Sequence, residues 1–424
     1  MTQHLALAVA DAVADLLADP ESAPVGPRTT TTDRQQLAYG PPGIALLHIE
    51  RAAAGLGSWQ RAHNWLAAAT QQPFTSGPDS HPFYGAPALA HAVVCAAQHQ
   101  PGPYQRALLA LDAQIDNDIR RRLDVAHRRI DAGHLPQLAE FDVIRGLTGY
   151  GAYLLHRDPH SLTLSRVLDY CVRLTESVSD DGETLPGWWT ASGPSGRPDE
   201  RFPGGHTNSG MAHGIGGVLA LMAFAARRGN AVAGHHEAIR TILAWLDRWQ
   251  EDTGSGTVWP YWVTRAELRE ERLAPSAPRR PSWCYGTAGL ARAQQLAALA
   301  LGDRRRQVEA EMALVAVLAN SAQLKATTDN GLCHGYAGLA HIAARTAADA
   351  HPSTAPQLRA AISPLLTAVC PPWTDPATVA AAMVRDEQAG PGFLNGAAGI
   401  ALALLAPATA VPPTSPWDSC LLIA

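Results

Sequence analysis

The chain is nearly without lysine and is short of cysteine, aromatic residues and charge of either sign. Lys325 is the one lysine among 33 basic residues, and aromatic side chains make up 6% of the 424 residues. Each shortage excludes a class. With 33 basic against 38 acidic residues the formal net charge is −5, so no electrostatic footprint for nucleic acid or an anionic membrane is present. Six cysteines, at 95, 171, 284, 333, 370 and 420, are too few and too scattered for a disulfide scaffold. No run reaches the ~18–20 consecutive apolar residues of an integral membrane segment. The apolar opening stretch lacks a basic start and carries Asp11, Asp15 and Asp19 at four-residue spacing. That predicts a surface helix with a polar stripe, not an export signal. A soluble, cytoplasmic protein is expected. At 46% apolar and 17% charged residues the chain is also too apolar for intrinsic disorder.

What is present is a repeat. A glycine, followed in most copies by a second three residues on, leads into an Ala/Leu-rich run at Gly40, Gly85, Gly146, Gly214, Gly286, Gly335 and Gly396. The mean interval of about 59 residues holds two helices and two loops. The stretch after each glycine is apolar nearly all round, as over 215–226, which predicts a helix buried on every side. The preceding stretch is amphipathic. Ile239, Ile242, Leu243, Leu246 and Trp249 form one stripe, and Val308, Met312, Val315 and Leu318 another. No segment alternates with a strand's period of two.

The pattern predicts an all-α fold, an α/α toroid of seven inner and seven outer helices. It is read as one domain over 1–424, with a helix and linker over 1–34, repeats from about 37 to 406 and a tail over 407–424. All inner helices then start at one end, where the paired glycines let them close up and spare amides favour negative charge. The long connections 179–209 and 251–282 lead into that end and are expected to form its rim.

Several repeat starts carry reactive side chains. WCYG places Cys284 two residues before Gly286, and LCHG places Cys333 and His334 directly before Gly335. Repeat-equivalent positions can meet in space although 49 residues apart. Two cysteines and a histidine match a zinc ligand set, with a fourth position left open as in catalytic sites; the plainer alternative is two buried cysteines and a hydrogen-bonded histidine. His213 precedes Gly214 and suits general acid/base work or a packing role at the rim. Asp142 and Arg280 lead into buried helices as functional groups or as caps. His91 and His341 read as core histidines, and Cys95, Cys171 and Cys370 as small hydrophobes. Trp188 and Trp189 in the first long connection can pack or grip a peptide.

The combination resembles the lanthionine synthetase C-like family, the lanthipeptide cyclases. The motifs are FDVIRGLTG with Asp142, NSGMAHGIGG with His213, RRPSWCYGTAG with Arg280, Trp283, Cys284 and Tyr285, and LCHGYAGLAH with Cys333 and His334. The resemblance runs from about Leu37 to the ending SPWDSCLLIA. It implies a zinc ion (Zn2+) on Cys284, Cys333 and His334, and addition of a peptide cysteine thiol to dehydroalanine or dehydrobutyrine to form a thioether ring. It implies catalytic roles for His213, Asp142, Arg280 and Tyr285, and a substrate-binding role for Trp283. A dehydrated precursor peptide, leader plus core, is the implied partner, with a separate dehydratase. Asn208 and the pair Thr287 and Ala288 depart from the family pattern. A glutathione-adding relative and a non-catalytic peptide-binding scaffold are the alternatives. A prenyltransferase β subunit would need an acidic zinc ligand that these motifs lack.

Overall fold

The computed structural model describes residues 2–24, 30, 32–71, 73–254, 256–275 and 279–424. Of the expected linker, 25–29 and 31 lie outside the described residues, as do 255 and 276–278 of the second long connection. The described chain is predominantly helical, as expected. Among the described residues, a helix begins directly after each of the seven lead glycines: Pro41–Ala53, Ala86–Ala97, Leu147–Arg157, Ile215–Arg227, Thr287–Leu301, Tyr336–Asp349 and Ala397–Thr409. No helix among them is long and apolar enough to cross a membrane.

Two compact units divide the chain. One comprises Met1–Ile115, Thr327–Asp418 and Ala424; the other comprises Asp116–Ala326 and Ser419–Ile423. In the second unit, Ile215–Arg227 is buried at every position from Ile215 to Ala225. His235–Arg248 packs beside it through the expected stripe of Ile239, Ile242, Leu243 and Leu246, with Trp249 just beyond. In the first unit, Thr2–Leu16 lies on Ala397–Thr409 and Pro376–Val384 and buries Ala6, Val9, Ala10, Val13 and Ala14. Its polar stripe forms ion pairs, Asp11 with Arg51 and Asp15 with Arg61. The opening segment therefore serves as an outer helix of its unit.

The paired glycines stand at close approaches between repeats, as expected: a Cβ on Gly43, Gly217 or Gly289 would run into Phe393, Val143 or Met211 of a neighbouring repeat. In four repeats the loop before the inner helix also folds back over the helix start. The N–H of the second glycine donates to a carbonyl four residues before the lead glycine: Gly149 to Asp142, Gly289 to Ser282, Gly338 to Gly331 and Gly399 to Gly392. Those amides are occupied within their own repeat, so they offer no open anion site. A Cβ on Gly399 would run into the Phe393 carbonyl. Gly399→Ala is accordingly expected to destabilise the protein by about 1–3 kcal/mol, read as a lower denaturant midpoint; an unchanged midpoint would show that the loop yields freely.

Two further expectations need correcting. On Arg304–Ala319 the buried face is Gln307, Ala310, Glu311, Ala313, Leu314, Val317 and Leu318, while Met312 is exposed and Val308 and Val315 are half-buried. Gln295 and Gln307 both donate to Glu311 Oε1, at 2.8 and 2.9 Å. Satisfied polar groups thus occupy a face that composition reads as solvent-exposed. The long connections also contain short antiparallel ribbons, Val178–Asp180 with Glu183–Leu185, Glu251–Asp252 with Thr257–Val258, and His206–Asn208 with Trp262–Thr264. Strands of two or three residues are too short to show alternation.

Burial lowers the pKa of His48, His91 and His206 to about 4, against an ordinary value near 6.5. The unfolded chain takes up these protons below pH ~6.5, whereas the folded one resists until about 4. Stability is therefore lost as pH falls through that window. A lower urea midpoint at pH ~5 than at pH ~7 is expected, and equal midpoints would contradict the burial of neutral histidines.

Candidate active site

Asp142 is the hinge of the second unit's site. Its Oδ1 accepts from the N–H groups of Arg145 and Gly146, at 2.6 and 2.9 Å, fixing the carboxylate at the start of Leu147–Arg157. Its Oδ2 lies 2.7 Å from His213 Nδ1. The Asp142 side chain is 2% exposed and that of His213 is 35% exposed. A carboxylate can only accept here, so Nδ1 carries the proton and Nε2 is left for exchange. Backbone bonds set this register: Val143 N–H donates to Ala212 O, and Ala212 N–H to Cys284 O. Residues before successive lead glycines are thereby tied together, which brings His213 beside the WCYG loop.

In that loop Tyr285 sets its ring 6.3 Å from the His213 ring, centroid to centroid, and its hydroxyl accepts from Asn208 Nδ2 at 3.1 Å. Cys284 is buried, its Sγ 3.6 Å from Ser282 Oγ. Ser282 also ties the turn through Tyr285 N–H and Tyr285 O. Arg280 contributes its carbonyl, which accepts from the Tyr261 hydroxyl at 2.8 Å. Burial pushes that hydroxyl up to about 12. Trp283 is buried, and its indole N–H donates to Leu421 O at 2.8 Å. That bond seats the loop on the C-terminal residues.

The first unit holds Cys333 and His334. Cys333 is buried, and its N–H donates to Leu394 O at 2.9 Å. His334 Nδ1 lies 2.6 Å from Asp329 Oδ2, while Asp329 Oδ1 accepts from Gly331 N–H at 2.8 Å. The imidazole is thus oriented by a carboxylate that is itself fixed.

The sequence model described as lanthionine synthetase C-like protein matches residues 31–422. The chain belongs to the lanthionine synthetase C-like family. It is also similar to the nisin biosynthesis protein NisC of Lactococcus lactis subsp. lactis, with 27% identity over 207 residues, 48% of each chain. That alignment spans about half the length of this curated relative. The solved structure of nisin cyclase matches with a TM-score of 0.75 and 21% identity over 93% of each chain. At that identity the likeness speaks for fold, and it places the chain in the α/α-toroid class.

The resemblance implies zinc on Cys284, Cys333 and His334. Among the described residues no three His, Cys, Asp or Glu side chains form a preformed metal cage. The donor chemistry nevertheless fits. Two cysteines and a histidine are zinc ligands, and an Nδ1–carboxylate bond that leaves Nε2 for the metal is the usual support of a metal-binding histidine. Asp329 and Asn208 escaped the sequence reading as partners, although a signal existed. Both stand six residues before a lead glycine, as does Arg280, and both accept an N–H two residues on.

Other residues resolve as structural in this family member. Trp188 and Trp189 are buried, the first T-shaped against Trp245 and the second donating to Gly204 O, so they do not grip a peptide. His91 bonds Trp417 O, and His341 bonds Asp418. Cys95 is fully buried, and burial pushes the Cys171 and Cys370 thiols up to about 12 and 11.

Proposed function

We propose that the protein is a lanthipeptide cyclase that closes thioether rings in a dehydrated precursor peptide. The observation that carries this reading is the buried Asp142 carboxylate holding His213 beside Tyr285 and the Cys284 loop. Family membership supports it. Cys284, Cys333 and His334 are the residues that would hold Zn2+, and the ion, when bound, would lower the pKa of a substrate thiol.

The chain's own groups account for the proton. In the reaction a C–S bond forms at Cβ of the dehydro-residue, the π electrons move to give an enolate, and the thiol proton ends on Cα. His213 Nε2 takes up the proton and returns it to that carbon. Asp142 holds the tautomer and stabilises the imidazolium. Arg280 offsets the enolate charge, and Tyr285 borders the space beside His213. A separate dehydratase supplies the substrate, and the reducing cytoplasm would keep its thiols free.

The reading is tested with a synthetic peptide bearing a dehydroalanine and a cysteine. The protein should consume the free thiol without changing the peptide mass; a thiol that persists would overturn the proposal. Asp329→Ala should weaken zinc binding by about 10–100-fold, measured by chelator competition, while leaving the fold intact by circular dichroism. Unchanged affinity would remove Asp329 from the site.

A further inference from the structure

The connection 251–282 reaches the site through one of the short ribbons. Asn208 stands opposite Trp262 in the antiparallel pairing of His206–Asn208 with Trp262–Thr264. Ser209 N–H donates to Tyr261 O at 2.9 Å. The ribbon therefore fastens Tyr261 and Trp262 to the segment that ends in His213, and Asn208 reaches on to the Tyr285 hydroxyl.

A run of rings results. The centroids of Tyr261 and Trp262 lie 5.5 and 6.1 Å from that of Tyr285, and the Tyr285 ring lies 6.3 Å from His213. These separations are those of interacting aromatic pairs. Tyr261, Trp262 and Tyr285 are half-buried, and His213 is partly exposed, so the rings form a partly open wall, not a core cluster. The wall is stiffly backed. Phe202 packs T-shaped on Trp262 at 5.4 Å, and the Tyr261 hydroxyl is held by Arg280 O.

The geometry points to Tyr261 and Trp262, together with Tyr285, as the surface on which the dehydro-residue of the peptide lies, selecting dehydrated from undehydrated substrate. This inference rests on the cyclase reading and deepens it. In a dehydroalanine the Cα, Cβ and carbonyl are conjugated and flat, so the residue can lie face-on against an aromatic ring. The parent serine or threonine has a tetrahedral Cα that holds the chain off the ring. A flat residue on this wall also lies beside His213, where Cα must receive its proton.

The test uses Trp262→Ala and Trp262→Phe with the dehydroalanine–cysteine peptide. Two small competitors are added, N-acetyl-dehydroalanine methylamide and N-acetyl-alanine methylamide. Trp262→Ala should raise KM roughly five- to tenfold with kcat held within about twofold and zinc content unchanged, and Trp262→Phe should recover most of the loss. The dehydro amide should inhibit the wild-type protein more strongly than the saturated one, and the difference should vanish in Trp262→Ala. An unchanged KM, or equal inhibition by both amides, would overturn the wall while leaving the cyclase reading intact. If the wild-type protein closes no ring, the cyclase reading fails, and direct titration of the two amides decides the wall. A preference for the dehydro amide that is lost in Trp262→Ala upholds it; equal binding overturns it.

Discussion

Replacing Cys284 or Cys333 with alanine is expected to strip the protein of zinc and abolish ring closure. The wild-type protein should carry about one zinc per chain, measured by elemental analysis, and each variant should lose most of it. The expectation follows from the donor chemistry. A two-Cys, one-His set reduced to two ligands holds zinc far less tightly, and the carboxylate-oriented His334 cannot replace a thiolate. The fold should survive. Each unit buries its own helices through many apolar contacts, as on Ile215–Arg227 and on Thr2–Leu16 against Ala397–Thr409. Helical circular dichroism should therefore match the wild type. Full zinc occupancy in Cys333→Ala would exclude that residue as a ligand, and collapse of the fold would make the metal structural.

His213→Ala should give the complementary result, with zinc retained and cyclisation lowered by about 10²–10⁴-fold. The geometry separates the roles. His213 Nδ1 is bound to the buried Asp142 carboxylate, and its side chain remains partly exposed beside Tyr285. That suits proton transfer better than packing. Asp142→Asn should lower the rate as well, because an amide no longer dictates the tautomer or stabilises the imidazolium. Loss of zinc in His213→Ala would move the residue into the ligand set. Normal cyclisation would leave the proton to another group.

The glycine repeat made the helical plan legible, because period and apolar character both scale with burial. His213, Asp142 and the WCYG and CHG starts were legible for the same reason: reactive residues at repeat-equivalent positions stand out from an apolar background. What escaped depended on contacts between distant segments. Nothing local in 206–208 and 262–264 announces that these residues pair, so Tyr261 and Trp262 went unnoticed. Asp329 reaches His334 from five residues upstream, a local bond visible only once the turn is known. Glu311 is buried through partners, Gln295 and Gln307, that lie on two different helices. For Trp188 and Trp189 the sequence leaves packing and peptide contact both open, and burial of the two indoles is visible only in the structure.

The central claim is that the chain itself drives thioether closure. The most direct measurement incubates the dehydroalanine–cysteine peptide with and without protein at pH ~6, following free thiol and the configuration at the new centre. Free cysteine, with a pKa of ~8.5, is mostly protonated there, so the uncatalysed reaction is slow and unselective. With protein, thiol should disappear much faster and one isomer should dominate, because the partners are held in a fixed geometry. Equal rates and the same isomer mixture in both tubes would contradict the account and reduce the protein to a peptide-binding scaffold.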